Sequence, residues 1–502
     1  MNRPMTAADQ ASTKAARNPF PDFRTATELV EALASREVSS LELVDNAIAR
    51  IEAADPAINA VVVRDFERAR ETAREADAKL DRGERAPLLG LPFTVKEHFH
   101  VVGLQTTWGM TKYQGWLPDI DALAVQRLKN AGAVIVGKSN VPDQNGDWQS
   151  FNDVYGTTNN PWNLAHTPGG SSGGGAAAVA AGYVPLDLGW DGGGSLRTPA
   201  HFCGVFSHKA SLDLVPLRGL SLPEAPIVPR RDEGAAIGPM ARSAMDLELA
   251  LSVIAGPDEA SDGVGYTLSL PPTRHSKLAD FRVLVIDEHP LCPTADSIRT
   301  ALNEMAERLS GAGCAVMRKH PKLPDLAFTS QVFEKFSFAK RSGKLMAEER
   351  AEVEQRGLQL SPEDQSLVAC MLRGYLMTHA DWVGLSQHRD ELRAQWRSLF
   401  QHVDVVLCPP SPVQAFKHDH SPMLSRKIDI NGEPRQYRCD LHAWASIANM
   451  IGLPSTTMPI AESDGLPIGM QIMGPYLEDR TTIGFATLVE REFGGFRPPH
   501  EI

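Results

Sequence analysis

At 502 residues, with 42% hydrophobic side chains, the chain has ample apolar material for a large folded core. Fifty Lys and Arg against 62 Asp and Glu leave a formal charge of −12, which argues against nucleic acid or an anionic membrane surface as the main partner. Six scattered cysteines with no CxxC spacing point to a reduced, cytoplasmic setting, away from a disulfide framework or a zinc site.

The first 22 residues, rich in Ala, Thr and polar side chains, read as a disordered lead without the apolar segment of a signal peptide. No run reaches the roughly 18 apolar residues that a spanning helix needs. From Ala26 the pattern turns helical. Ser39 or Ser40 is placed to cap a second helix, in which Leu41, Val44, Ala47 and Ile51 recur at helical spacing. A charged helix follows over roughly Phe66 to Arg82. In GLPFTVKEHFH, Lys96 stands among Phe93, Val95 and Phe99, as at a strand edge entering a loop. DALAVQRLKNAG is a short helix closed by Gly132, and AVIVG a short buried strand.

Residues 139–168 form a loop passage too long for an idle connection, with aromatic residues Trp148, Phe151, Tyr155 and Trp162. A helix starts near Ser243. Farther on, FRVLVIDE, SIRTALNEMAERLSGAG and CAVMRKH read as a βαβ-like unit. Residues 325–400 are mostly amphipathic helix, VDVVLCPPSP is a strand entering a proline turn, and a last helix runs from about Thr481. Strands alternate with helices throughout and no repeat or autonomous linker interrupts them, so one large α/β domain is expected.

Between Gly169 and Pro199, two glycine clusters flank a small-residue segment, and Ser195 follows Ser171 by 24 positions. A phosphate cradle lacks its GK[ST], and a flexible linker does not fit the apolar AAAVAAGYVPLDLG, which reads as a buried helix followed by a strand. Gly170-Ser171-Ser172-Gly173-Gly174 matches the G-x-S-x-G nucleophile elbow literally, but the preceding PWNLAHTP is no central strand. A Ser-His-Asp arrangement with His166, His201 or His208 has no spacing signal.

The fourth reading is a resemblance. Gly170-Ser171-Ser172-Gly173-Gly174, the following alanines, then Gly189, Asp191, Gly193, Ser195-Leu196-Arg197 and Pro199 resemble the signature of the amidase signature family. So do GLPFTVKE, GAVIVGKSNVP, YGTTNNPWN, GPMARSAMDLELAL and GLPIGMQIMG, and the likeness runs from about residue 27 to 490, weakest over 265–435. It implies a single α/β/α domain with a central mixed, twisted sheet covered by helices. That domain would span 23–502, with its core at 85–260 and 400–490 and a variable, pocket-forming insertion at about 265–400.

The resemblance also implies a Ser-Ser-Lys triad: Ser195 as nucleophile, Ser171 as bridging serine after a cis Gly170–Ser171 bond, and Lys96 as base. A serine hydroxyl needs a base to take its proton, and lysine serves only when neutral, which requires desolvation. Phe93, Val95 and Phe99 are the expected apolar neighbours of Lys96. Oxyanion donors would be the amides of Gly192, Gly193, Gly194 and Ser195. Asp191, Arg197 and Ser172 would support them.

Trp190, Asp187 and Gly192 depart from the residue types usual in the family at their positions, and Asp187 calls for a buried partner. Thr107, Met110, Asn145, Trp148 and Phe151 are the candidate pocket residues. The expected activity is hydrolysis of carboxylic amides, aryl or acyl, through an acyl-enzyme on Ser195. The alternatives are a glutamine-hydrolysing component of an amidotransferase, an esterase or carbamate hydrolase, and a silent binding protein. No metal or organic cofactor is implied, and the HxH pairs His98/His100 and His418/His420 read as surface histidines. The partner is a small amide, with a homodimer open as an assembly and no nucleic acid or membrane span.

Overall fold

The computed structural model describes residues 23–500; the expected N-terminal lead lies outside them. Helices begin where the sequence supplies caps. Thr25 with Glu28, and Ser39 with Glu42, form reciprocal capping boxes ahead of Ala26–Ala34 and Ser40–Ile58. Ser243 accepts the amide of Asp246 at the start of Ala244–Ile254. The short helix Leu123–Asn130 is followed by Gly132, whose φ of 91° suits glycine.

A single 11-stranded sheet runs through the molecule. Its order is Val61–Arg64, Val134–Ser139, Pro92–Lys96, Leu186–Asp191, Ala236–Ala241, Phe206–Lys209, Ser455–Ser463, Leu466–Met473, Val405–Cys408, Arg282–Val285 and Ala315–Met317. Pro92–Lys96 lies parallel to both neighbours, whereas Leu186–Asp191 pairs antiparallel with Ala236–Ala241. The sheet is therefore mixed, with helices on its faces, and the architecture is a single α/β domain as expected from the alternation of elements. Phe93, Val95, Leu186 and Leu188 enter one apolar cluster, while the helix Gly173–Ala180 belongs to another.

The anticipated βαβ unit is Arg282–Val285, Asp296–Gly311 and Ala315–Met317, with its strands parallel. The helical stretch 325–400 resolves into Leu326–Ala339, Ala347–Leu358, Leu367–Tyr375 and His379–Leu399. The long passage 139–168 holds a short 3-10 turn, Asp143–Asn145, and a small hairpin, Phe151–Asn152 against Gly156–Thr157. Among the described residues no helix is long and apolar enough to cross a membrane. All six cysteines are buried and free of disulfides.

Candidate active site

Strand periodicity decides what surrounds Lys96. Pro92–Lys96 is an interior strand of the sheet, not an edge, and Lys96 is its last residue. Side chains alternate along a strand, so Phe93 and Val95 point into the cluster on one face while Thr94 and Lys96 point to the other. The expectation that Phe93, Val95 and Phe99 wrap the lysine is thus corrected: all three belong to the core on the far side. What desolvates Lys96 is the glycine-rich segment over it. Its Nζ donates to Ser171 Oγ at 2.6 Å and to Ser172 Oγ at 3.0 Å, and lies 5.8 Å from the centre of the Trp190 ring. Lys96 is fully buried, and burial holds its ammonium well below the ordinary lysine value, against the opposing pull of Asp187 and Asp191.

The segment that carries the serines is held from several sides. The Gly170–Ser171 peptide bond is cis. Ser172 precedes the helix Gly173–Ala180, donates its hydroxyl to Trp190 O at 3.3 Å and its amide to Ser195 O at 3.1 Å. This last bond ties the two glycine clusters together. Gly175 rests directly above Asp187: a Cβ there would lie 2.1 Å from Asp187 Oδ1. Only glycine lets the helix come so near the sheet.

Asp187 finds the partners it needs. Its Oδ2 accepts from Thr94 Oγ1 at 2.8 Å and Ser139 Oγ at 2.9 Å, one hydroxyl from each of two other strands. Its Oδ1 has no hydrogen bond among the described residues. Burial raises the carboxyl to about 7, against the hydroxyls and the charge of Lys96. A carboxyl that holds or loses a proton near neutrality therefore shares the lysine's face of the sheet.

Asp191 organises the turn that bears Ser195. It accepts the amides of Gly194 at 2.7 Å and Leu196 at 3.1 Å, and pairs with Arg197 at 3.0 Å. Burial alone would raise its carboxyl, but the charge and hydrogen bonds of Arg197 and the Gly194 amide hold it well below the usual range. Arg197 also reaches Gln471 Oε1 at 3.0 Å and Asn449 Oδ1, and Asn449 Nδ2 donates to Gly234 O at 2.9 Å. Arg197 and Asp191 are both fully buried, so removing one leaves the other uncompensated. Arg197→Met is expected to destabilise the fold by about 3–5 kcal/mol. Equilibrium unfolding in urea, read as a lowered midpoint at unchanged slope, measures it.

Gly194 adopts a φ of 110°, a conformation that side chains disfavour. Its amide is engaged by Asp191, so it is not free for an oxyanion. Among the described residues the amides of Gly192, Gly193 and Ser195 make no hydrogen bond. Ser195 is half-buried, and its hydroxyl makes no hydrogen bond among the described residues. It lines a cavity of about 510 Å³ together with Gly192, Gly193, Trp108, Trp148 and Trp190.

Of the pocket residues read from sequence, Asn145 and Trp148 line this cavity. Thr107 does not: it is buried and donates its hydroxyl to Glu97 Oε1 at 2.9 Å, bracing the loop that carries Trp108. Met110 also lies outside the lining. Phe151 faces a neighbouring cavity and stacks on His420 at 3.9 Å between ring centres. His98 and His100 are fully buried, not surface residues. The His98 ring packs against Trp108 and Trp190. None of His166, His201 and His208 hydrogen-bonds to Ser171, Ser172 or Ser195 among the described residues: His201 bonds to Val413 O and the Gly469 amide, and His208 to Thr456 and Asp479. Among the described residues no group of three His, Cys, Asp or Glu is clustered to hold a metal.

Residues that sequence reasoning did not select also line the cavity: Leu220, Arg230, Asp232, Lys340, Arg341, Arg438 and His442. They come from the 220–235 loop, the helix Leu326–Ala339 and its exit, and the segment before Ala443. No spacing links these three regions.

The fold and the family match define an enzyme that acts on the carbon–nitrogen bonds of amides. A family model described as Amidase matches residues 42–483, and the chain belongs to the amidase signature family. The A-type subunit of glutamyl-tRNA(Gln) amidotransferase from Roseiflexus castenholzii is 33% identical over 491 residues, 93% of this chain and 95% of that protein. Among solved structures, a chain of a vestigial protein complex tied to the evolutionary origins of an s-triazine catabolic enzyme superposes with a TM-score of 0.76 at 29% identity, covering 93% of this chain and 98% of its own. A 6-aminohexanoate cyclic dimer hydrolase gives 0.74 at 26% identity, with 96% and 99% covered.

Proposed function

We propose that the chain hydrolyses a carboxylic amide through an acyl-enzyme on Ser195, with Ser171 as proton relay and Lys96 as base. The observation that carries this reading is Lys96, fully buried, its ammonium held well below its ordinary value, and bonded to Ser171 at 2.6 Å. Ser195 Oγ attacks the carbonyl carbon as its proton passes to Ser171, and the proton of Ser171 passes to neutral Lys96. The oxygen of the tetrahedral intermediate gains charge, and the Gly192, Gly193 and Ser195 amides stabilise it. Collapse expels the amine, which takes the proton back through Ser171, and a water then repeats the sequence on the ester to release the carboxylate.

Three indoles face the space beside Ser195, and the Nε1 groups of Trp108, Trp148 and Trp190 have no hydrogen-bond partner among the described residues. Flat apolar indole faces suit an aryl or acyl amide. Ser337, Lys340 and Arg341 line the same cavity, which supports the reading of the 265–400 region as the pocket-forming insertion. Esters and carbamates are open to the same chemistry. A cytoplasmic site of action accords with six free cysteines.

The amidotransferase relatives favour a second reading, glutamine hydrolysis in a complex with other chains. The test is an amide screen with the purified chain, without partner or ATP, combined with fluorophosphonate trapping and location of the label by mass spectrometry. Labelling of Ser195 with turnover of simple amides is expected. Labelling of Ser172 overturns the mechanism, and turnover only in the presence of partner chains selects the second reading.

A further inference from the structure

The catalytic cavity shares a wall with a larger one of about 770 Å³, and Arg341 and Arg438 line both. Each guanidinium is close to Phe338, 5.4 Å from the ring centre in both cases. Neither forms an ion pair among the described residues. Arg438 is buried, donates to Gly146 O at 2.6 Å and touches Met423 Sδ at 3.4 Å. Arg341 makes no side-chain hydrogen bond among the described residues, and its Nη1 is buried without a partner.

The carboxylates nearby each have another partner, although Glu334 Oε2 has none among the described residues. Asp232 accepts Lys340 at 2.6 Å, Glu334 accepts His442 at 2.7 Å, and Asp147 pairs with Arg426 at 2.6 Å. Across the larger cavity, Glu352 pairs with Arg356 at 3.4 Å, Glu349 accepts the Met346 amide at 2.9 Å, and Asp143 and Asp153 lie at the exposed surface. Arg341 forms no direct ion pair among the described residues; burial first, and then the like charge of Arg438, lower it to about 10 against the more distant pull of Tyr375, Glu334 and Asp232.

Two neighbouring guanidiniums, one buried and one partly buried, that lack a direct ion pair are costly, and the cost is relieved when an anion enters. The arginine fork matches a carboxylate through two parallel hydrogen bonds. We propose that Arg341 and Arg438 form the anion-recognition end of the catalytic cavity, so that the substrate is an amide bearing a carboxylate away from the scissile bond. This rests on the amidase reading above and narrows its substrate class. The indoles beside Ser195 hold the body of the molecule, and the arginines fix its acid end.

Two matched pairs of anilides test this: glutaryl against pentanoyl anilide, which places the carboxylate on the acyl arm, and the acetyl amide of 4-aminobenzoate against acetanilide, which places it on the amine arm. With wild-type protein, kcat/KM is expected to favour the carboxylated member of at least one pair by about tenfold or more. That ratio should fall toward one in Arg341→Met and in Arg438→Met, and recover in part in Arg341→Lys. Equal rates within both pairs overturn the proposal while leaving the amidase reading standing. A readout independent of turnover is thermal unfolding with added glutarate. A raised midpoint in wild type that is lost in Arg341→Met supports the anion site even where no anilide is cleaved, and no rise in wild type overturns it. Failure of fluorophosphonate to label Ser195 overturns the catalytic reading alone.

Discussion

Ser195→Ala is expected to lower kcat by about 10⁴-fold or more on any amide the enzyme turns over. The serine hydroxyl is the only atom lost, and it makes no hydrogen bond among the described residues, so the unfolding midpoint should stay at its wild-type value. The loss is therefore chemical. Steady-state kcat and the midpoint, measured on the same preparation, separate chemistry from folding. A kcat within tenfold of wild type would move the nucleophile away from Ser195. Some acceleration over water should survive in the variant, because the Gly192 and Gly193 amides and the cavity walls remain.

Lys96→Met is the second large effect, a fall in kcat of about 10²–10⁴-fold, the range typical of a lost general base. Its sign with pH follows from burial. A base works only once deprotonated, so wild-type kcat/KM rises with pH as Lys96 loses its proton. Burial moves that limb below the value of a free lysine, about 10.4. The charge of Asp187 acts in the opposite sense, since a nearby carboxylate favours the ammonium. Asp187→Asn removes that charge and is expected to shift the acid limb to lower pH, while Lys96→Met loses the limb altogether. A limb that stays in place in Asp187→Asn would separate the carboxyl from the base, and wild-type turnover near neutrality in Lys96→Met would make the lysine structural.

Much of this site was legible as chemistry before it was legible as geometry. The two glycine clusters, their serines and the Asp191–Arg197 pair stand close together in the chain, where a local pattern reveals them. The alternation of strands and helices was equally readable, because each element carries its own apolar periodicity. The surroundings of Lys96 were misread because neighbours in a strand do not share a face: Phe93 and Val95 are near it in sequence and across the sheet from it in space. The partners of Asp187 escaped for a related reason. Thr94 and Ser139 reach it from two other strands, and only the register of the sheet brings them together. Gly194 shows a further limit, since a glycine amide in the right turn cannot serve an oxyanion while the Asp191 carboxylate holds it. Arg341 and Arg438 were out of reach altogether. Arg438 meets the loop at Gly146 across 292 residues, and no composition or spacing announces a contact of that range.

The close seating of Gly175 on Asp187 also bears on how this protein can change. A side chain at 175 collides with the carboxylate and with Met240, so alanine there is acceptable only once position 187 has shrunk and the Met240 side chain has given way. A survey that substitutes residues singly would score Gly175 as immutable, although the restriction lies in its partner. Any route by which a lineage exchanges the acid beneath the lysine for a small residue has to leave Asp187 first and fill Gly175 afterwards.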